Sequence, residues 1–238
     1  MFSKLVSVAH GDDTPSFLMR QLESAGYRRL DEPHSSSKFL DPKDNRRVIV
    51  VASDLDDLGP YDEYWRFVQW AKTQTFSSIP KIYGIHEYQC QGGEPHFIVE
   101  MEHFALDIQS DDVVWNDDNM ASLCCLWDDT IGATWEVFPD KLANMLFHHY
   151  GKILGLNPVV EPFDADTDEA VDAAFAERNA IEAHIVEVSK ACNNDFAKVL
   201  REIMKGDIVD YAFHKFTFDL SSIAVRPDTF ELVLVSTR

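Results

Sequence analysis

The sequence predicts an α+β protein with a strand-rich first part and a mainly helical second part that ends in a β-hairpin. Between residues 27 and 102, five segments have the alternation and the β-branched content of strands, and one helical segment separates the third from the fourth. After residue 138, apolar residues recur at helical spacing instead. A hydrophobic content of 45% over 238 residues is sufficient for a globular core.

The first part is predicted to open with a helix and a three-stranded meander. Thr14 is the expected cap of the helix, Pro15 its first residue and Gly26 its terminator. The strands of the meander are predicted at 27–31, 37–42 and 46–53. A turn at 42–45 joins the last two, and such short connections favour antiparallel pairing.

A second helix and two further strands complete the first part. The helix is predicted over 61–72 from the helical spacing of its large apolar residues. The strands are predicted over 79–89 and 95–102, and Gly92 and Gly93 form a suitable hairpin connection between them.

The second part is predicted to contain three helices and a closing hairpin. Residues 103–137 show no clear periodicity and receive no assignment. The helices are predicted at 139–154, 166–188 and 195–206. Asp166 and Glu169 have the spacing of a capping box at the start of the second of these helices. Apolar residues then alternate on both sides of a turn at 227–229, which is typical of a hairpin.

Acidic residues are the strongest compositional signal of the chain. There are 41 Asp+Glu against 21 Lys+Arg, which gives a net charge of −20. Between Lys81 and Lys141 there is no lysine or arginine, so direct nucleic-acid binding by this stretch is excluded, because phosphate contacts need basic side chains. Two interpretations stay open. The acids either keep the protein soluble, or they form a surface for a basic partner whose nucleic-acid site they cover.

The candidate partner-binding residues all lie within this basic-free stretch. Seven are aspartates and one is a tryptophan, a residue type favoured in interface hot spots: Asp107, Asp111, Asp112, Trp115, Asp117, Asp118, Asp128 and Asp129. For each of Trp115, Trp127 and Trp135, burial in the helical part is the alternative role.

No motif indicates a metal site, a disulfide or a membrane segment. Cys90, Cys124, Cys125 and Cys192 lack metal-ligand spacing, and the adjacent pair is sterically poor for a simple disulfide. We therefore expect reduced cysteines in the core of a cytoplasmic protein. The apolar stretch at the start of the chain is too short for a signal peptide or a membrane span, so we expect no membrane partner.

Three segments resemble parts of the protein-kinase-like fold. "GYRRLDEPHSSSKFLDPKDNRRVIVVAS" resembles its first three strands with their phosphate loop, and "IPKIYGIHEYQCQGGEPHFIVEMEHF" resembles the fourth and fifth strands that lead to the hinge. "FDLSSIAVRPDTFELVLVST" resembles the catalytic loop and the hairpin after it. The likeness is greatest to the compact early kinases of lytic bacteriophages. It implies one compact two-lobed unit, with a five-stranded lobe over 1–104 and a helical lobe over 105–238.

The resemblance also implies that the residues for phosphoryl transfer are missing. Kinases use a glycine loop, a lysine for the phosphates, a catalytic aspartate, and Asn and Asp ligands for magnesium. The loop here is "EPHSSS", the lysine position falls on Val50, and the asparagine position falls on Ser222. The metal-binding aspartate aligns with Val235 or Ser236, and the catalytic aspartate aligns with Thr217.

Charge and resemblance together predict a catalytically inactive, pseudokinase-like phage protein that inhibits a host or defence complex in the host cytoplasm. Its partner is expected to be a basic protein or nucleoprotein complex, bound by mimicry of nucleic acid and without a cofactor. One alternative is a divergent active serine/threonine kinase that uses Asp219 with ATP and magnesium. The other alternative is an acidic structural subunit.

Overall fold

The computed structural model of the chain describes residues 15–30, 36–52, 63–89, 95–108, 110–127, 140–156, 167–205 and 222–235. Within these ranges the protein has an α+β architecture with six helices, a five-stranded antiparallel sheet and a small three-stranded sheet. The predicted antiparallel five-stranded sheet is therefore confirmed. The chain divides into two compact units, one of residues 1–105 with 234–238 and one of residues 106–233.

The first unit contains two helices and the larger sheet. Its elements in chain order are α1 (Pro15–Ser24), β1 (Arg28–Leu30), β2 (Ser36–Asp41), β3 (Asp44–Ala52), α2 (Glu63–Thr73), β4 (Ile82–Gln89) and β5 (Pro95–Glu102). The strand order is β1-β2-β3-β5-β4, and every neighbouring pair is antiparallel. The single crossover, from β3 to β4, carries helix α2.

The second unit contains four helices and the smaller sheet. Its elements are β6 (Leu106–Asp107), α3 (Asp117–Trp127), α4 (Asp140–Leu154), α5 (Asp168–Ala191), α6 (Asp195–Lys205), β7 (Ile223–Val225) and β8 (Leu232–Leu234), of which the last strand ends at the unit boundary. Helix α3 is central, because it contacts α4, α5 and α6.

Both faces of the larger sheet are buried over its central strands. On one face, Leu18 and Leu22 of α1 pack against Phe39, Ile49 and Ile98. On the other face, Val68 of α2 packs in a cluster with the alternate residues of the same strands: Val48, Val50, Val99 and Met101. The continuous apolar run of β3 follows from this arrangement, since a strand covered on both sides has no solvent-facing position.

Helix α1 ends as predicted, at Gly26. The residue has a φ of +91°, in the left-handed region that favours glycine. The Tyr27 N–H donates to the Leu22 carbonyl at 3.0 Å, and the Gly26 N–H donates to the Glu23 carbonyl at 2.9 Å. This pair of hydrogen bonds is a Schellman motif, which satisfies carbonyls that the last turn leaves open.

Three sequence predictions are corrected by the structure. The cap of α5 is Thr167 and not Asp166, because the Thr167 side chain accepts the Ala170 N–H at 3.2 Å and the helix begins at Asp168. The turn between β2 and β3, predicted at 42–45, is confined to Pro42 and Lys43. Strand β4, predicted from residue 79, begins only at Ile82.

Two further predictions cannot be compared with the structure. The predicted cap Thr14 and the connection at Gly92 and Gly93 lie outside the described residues.

The closing hairpin joins a third strand that the sequence did not indicate. Strand β7 pairs antiparallel with β6, with Leu106 opposite Val225 and Asp107 opposite Ala224. All residues of β7 and β8 are buried, so the alternation read from the sequence does not produce an exposed face. The loop between the strands is closed by the Arg226 N–H, which donates to the Glu231 carbonyl at 2.9 Å.

The enclosed position of Val50 leads to a stability prediction. Val50→Lys would place a charge in an apolar cluster where Val50 is 0% exposed. We expect a loss on the order of 3–5 kcal/mol in the free energy of unfolding, as for other uncompensated buried charges. Val50→Met is the control, with about 1–3 kcal/mol expected from overpacking alone. Urea denaturation followed by circular dichroism measures both, and equal losses would contradict the enclosure of this site.

Candidate acidic interface

The candidate interface lies in the segment between β6 and the first turn of α3. The chain leaves β6 at Asp107 and is held to the core of the second unit by Ile108 and Val113, which are 2% and 6% exposed. Between these two anchors, Asp111 and Asp112 are exposed to solvent. The buried residues Ile108 and Val113 therefore fix the backbone on both sides of the acidic pair Asp111 and Asp112.

Local hydrogen bonds close this segment into two tight turns. The Ser110 N–H donates to the Asp107 carbonyl and the Val113 N–H donates to the Ser110 carbonyl, both at 3.2 Å. The Ser110 hydroxyl oxygen also accepts the Asp112 N–H at 3.2 Å. Serine at this position therefore stabilises the turn that presents Asp111 and Asp112.

Asn116 caps helix α3 and determines where its acidic first turn begins. Its side-chain oxygen accepts the Asn119 N–H at 2.8 Å, and its carbonyl accepts the Met120 N–H at 2.9 Å. Asn119 is 2% exposed, and its side-chain amide donates to the Val114 carbonyl at 3.2 Å. The same two asparagines thus satisfy the helix start and tie the preceding loop to it.

The aspartates of this segment are exposed, while the anchors Ile108 and Val113 are buried. Asp107, Asp111, Asp112, Asp117 and Asp118 are all solvent-exposed. The side chains of Asp111 and Asp117 are 93% and 95% exposed. Negative charge in the first turn of a helix is favourable because it faces the positive end of the helix dipole.

Two side chains of α4 pair with aspartates of the segment. Lys141 Nζ lies 2.8 Å from Asp111 Oδ1, and His149 Nε2 lies 3.6 Å from Asp117 Oδ1. The hydrogen bond from Lys141, and then its charge, hold the pKa of Asp111 below its ordinary value. Lys141 and His149 are two helical turns apart, about 12 Å along the axis. The two aspartates are therefore spread along one helix rather than gathered at a point.

Apolar surface accompanies the acids. Val114 is 53% exposed, and Trp115 is half-buried. A surface of carboxylates around a partly exposed apolar centre has the composition of an interface with a polar rim.

The eight predicted residues have three different outcomes. Asp107, Asp111, Asp112, Asp117 and Asp118 are brought onto the surface of one twelve-residue segment of the second unit. Trp115 is only partly accessible, and Trp127, for which burial was the alternative, is 6% exposed. Asp128, Asp129 and the candidate catalytic residue of the kinase alternative, Asp219, lie outside the part of the chain that the structure describes.

Charge is distributed unequally between the two units. The first unit has 16 Asp+Glu against 12 Lys+Arg, a net charge of −4, and the second has 25 against 9, a net charge of −16. The acidic character of the chain is therefore a property of the second unit. Sequence reasoning found the acidic stretch from the absence of basic residues. It missed Lys141 and His149, because their proximity to the segment depends on how α4 packs beside α3. It also missed Val114, because the sequence does not show which apolar residues remain exposed.

The positions implied by the kinase resemblance hold no charged group where the structure describes them. Val50 and Ser222 are both 0% exposed. Thr217 and Ser236 lie outside the described residues, as does the loop around Pro33. In the described ranges, no group of three or more His, Cys, Asp or Glu side chains is placed to hold a metal ion. No described helix combines the length and the apolar character needed to cross a membrane.

Comparison with known proteins adds no relative: no protein-family model matches the chain, and no curated protein is similar to it.

The capping role of Asn116 can be tested by substitution. Asn116→Ala removes the acceptor of the Asn119 N–H, and we expect it to lower the free energy of unfolding by about 1 kcal/mol. Asn179→Ala is the matched control, because Asn179 is exposed within α5, where alanine favours the helix. Chemical denaturation measures the difference. Equal stability of the two variants would show that the start of α3 does not depend on this cap.

Proposed function

We propose that this protein is a non-enzymatic acidic binding protein that occupies a basic, nucleic-acid-binding surface of a host or defence complex and blocks it. The observation that carries the proposal is the row of five exposed aspartates on a segment that hydrogen bonds and buried anchors hold in place. A solubilising surface does not require such a fixed backbone, whereas recognition does, because pre-ordered groups lose less entropy on binding.

The charges of the segment suit a basic partner in two ways. Exposed carboxylates on a unit of net charge −16 steer a positively charged surface at long range and raise the rate of encounter. In contact, they offer the lysines and arginines of the partner the negative groups that phosphates would otherwise supply. Val114 and Trp115 then provide apolar contact in the middle of the charged surface.

A protein-kinase-like scaffold without phosphoryl transfer is the second half of the proposal. Its support is the element order, with five antiparallel strands and one helix between the third and fourth, followed by a mainly helical unit. The apolar enclosure of Val50 also supports it, since no lysine for ATP phosphates is present there. The likeness to early phage kinases supports a phage origin and a site of action in the host cytoplasm. The proposed binding requires neither ATP nor magnesium.

The test compares two fourfold variants with the same change in charge. In the interface variant, Asp111, Asp112, Asp117 and Asp118 are all replaced by Asn. In the control variant, four exposed acids of α5 are replaced by their amides: Asp168, Glu169, Asp172 and Glu187. Asp168 and Glu169 lie in the first turn of their helix, as Asp117 and Asp118 do in α3. Circular dichroism confirms that both variants retain the fold.

The partner is first captured from host lysate with the wild-type protein, and the rate at which each variant associates with it is measured. In a second experiment, a DNA duplex is added to displace the protein from the partner. We expect the interface variant to associate at least about tenfold more slowly and the control variant to remain within about threefold of wild type. The duplex should compete with the protein for the captured partner. If both variants associate at the same rate, or if DNA does not compete, the proposed interface is wrong.

A further inference from the structure

Three cysteines of the second unit meet where α3 packs against the turn between α5 and α6. Cys124 and Cys125 lie on α3, and Cys192 is the residue that ends α5. All three are free thiols. Cys124 and Cys125 are 0% exposed, whereas Cys192 is 9% exposed and is the member of the group nearest to solvent. Their separation in the chain hides the proximity of Cys125 and Cys192 from sequence reasoning.

A network of hydrogen bonds holds the helices together at this point. The Cys125 sulfur lies 3.8 Å from the Ser189 carbonyl oxygen, which also accepts a hydrogen bond from the Arg201 guanidinium at 3.0 Å. The Asn194 side chain, at the start of α6, donates to the Ser122 hydroxyl of α3. The Ser189 carbonyl oxygen also accepts the Cys192 N–H at 3.3 Å, so Cys125 and Cys192 meet at one acceptor. The packing of α3 against α5 and α6 therefore brings these two cysteines together.

The surroundings of the two sulfurs are unlike. The neighbouring Cys125 thiol lowers the pKa of Cys192, as do the Asn194 N–H and the charge of Arg201, whereas burial and the charge of Asp118 raise it. The neighbouring Cys192 thiol and burial raise the pKa of Cys125. The more acidic, less buried Cys192 is therefore suited to attack, and Cys125 is suited to resolve.

We propose that Cys192 and Cys125 form an oxidation site in which a peroxide converts the two thiols into a reversible disulfide. The proposal does not depend on the function proposed above, although one residue of the acidic interface, Asp118, acts on Cys192 through its charge. We expect Cys192 to react first because it is 9% exposed, whereas Cys125 is 0% exposed.

The reaction balances with hydrogen peroxide as the oxidant. The Cys192 thiolate attacks one peroxide oxygen, the O–O bond breaks, and the products are Cys192 sulfenic acid and hydroxide. The Cys125 sulfur then attacks the Cys192 sulfur, the S–O bond breaks, and the departing oxygen leaves as water with the Cys125 proton. Two thiols are oxidised, one peroxide is reduced, and the hydroxide is neutralised by the proton that the Cys192 thiol gave up.

Cys124 has a different partner and serves as the internal control. Burial raises the pKa of its thiol to about 12, and the nearby Tyr150 hydroxyl on α4 opposes this rise. It also faces away from the α5–α6 turn relative to Cys125, because adjacent residues of a helix point in different directions. A neutral, enclosed thiol of this kind is expected to be inert.

The experiment treats the full-length native protein with hydrogen peroxide, blocks remaining thiols under denaturing conditions, and maps the linkages by non-reducing peptide mass spectrometry. We expect a mass loss of two hydrogens, a Cys125–Cys192 linkage, and recovery of the original mass with dithiothreitol. Cys124→Ala should retain the linkage. Cys125→Ala should leave Cys192 as a sulfenic acid that dimedone labels.

The pH dependence of alkylation of the native protein reports the acidity of the Cys192 thiol, which disulfide mapping does not measure. The rate of modification of Cys192 by iodoacetamide should reach half its maximum at a pH below about 8.5, the ordinary value for a cysteine. Arg201→Gln should move that midpoint upward, since it removes a positive charge near the thiolate. The proposal is overturned if native peroxide treatment leaves both thiols free, if Cys192 links to Cys124 instead, or if dimedone labels Cys125 rather than Cys192.

Discussion

The burial of helix α3 is the constraint on which the second unit depends. Residues from Asn119 to Trp127 are nearly all buried, because α4, α5 and α6 contact this one helix. A helix enclosed along its length can reach solvent only at its ends. Its first turn is where Asp117 and Asp118 emerge, and the Asn116 cap determines at which residue this happens. Both the acidic surface and the cysteine pair therefore follow from the position of α3.

In the first unit, strand β3 of the larger sheet is likewise enclosed by the elements that pack around it. Helices α1 and α2 cover opposite faces, so β3 carries apolar residues at consecutive positions. A charged residue at Val50 would be taken out of water without a polar partner, which is costly, and this favours an apolar residue at the position. Charged residues of the sheet are found where their side chains reach solvent. Arg47 Nη1 lies 2.8 Å from Glu100 Oε1, and the Arg47 guanidinium stacks over the ring of the exposed Tyr83.

The sequence predicted the elements that have a strong local signal. Gly26 ended α1 as expected, and the alternating and continuous apolar runs of β2, β3 and β5 identified those strands. Helix α3 was not predicted, because a helix buried on all sides has no amphipathic period to detect. Strand β6 escaped notice for another reason: two residues, Leu106 and Asp107, become a strand only through pairing with β7, which lies far away in the chain. The acidic stretch was visible in composition, but its fixed turns and its neighbours Lys141 and His149 depend on tertiary packing.

The most direct test of the proposed function is the salt dependence of the complex between this protein and its captured basic partner. If carboxylates of the second unit replace phosphates on a basic surface, the association constant should fall by at least about tenfold between about 0.05 and 0.2 M salt, with most of the change in the association rate. An association constant that does not change with salt over this range would contradict the account and reduce the acidic segment to a solvated surface.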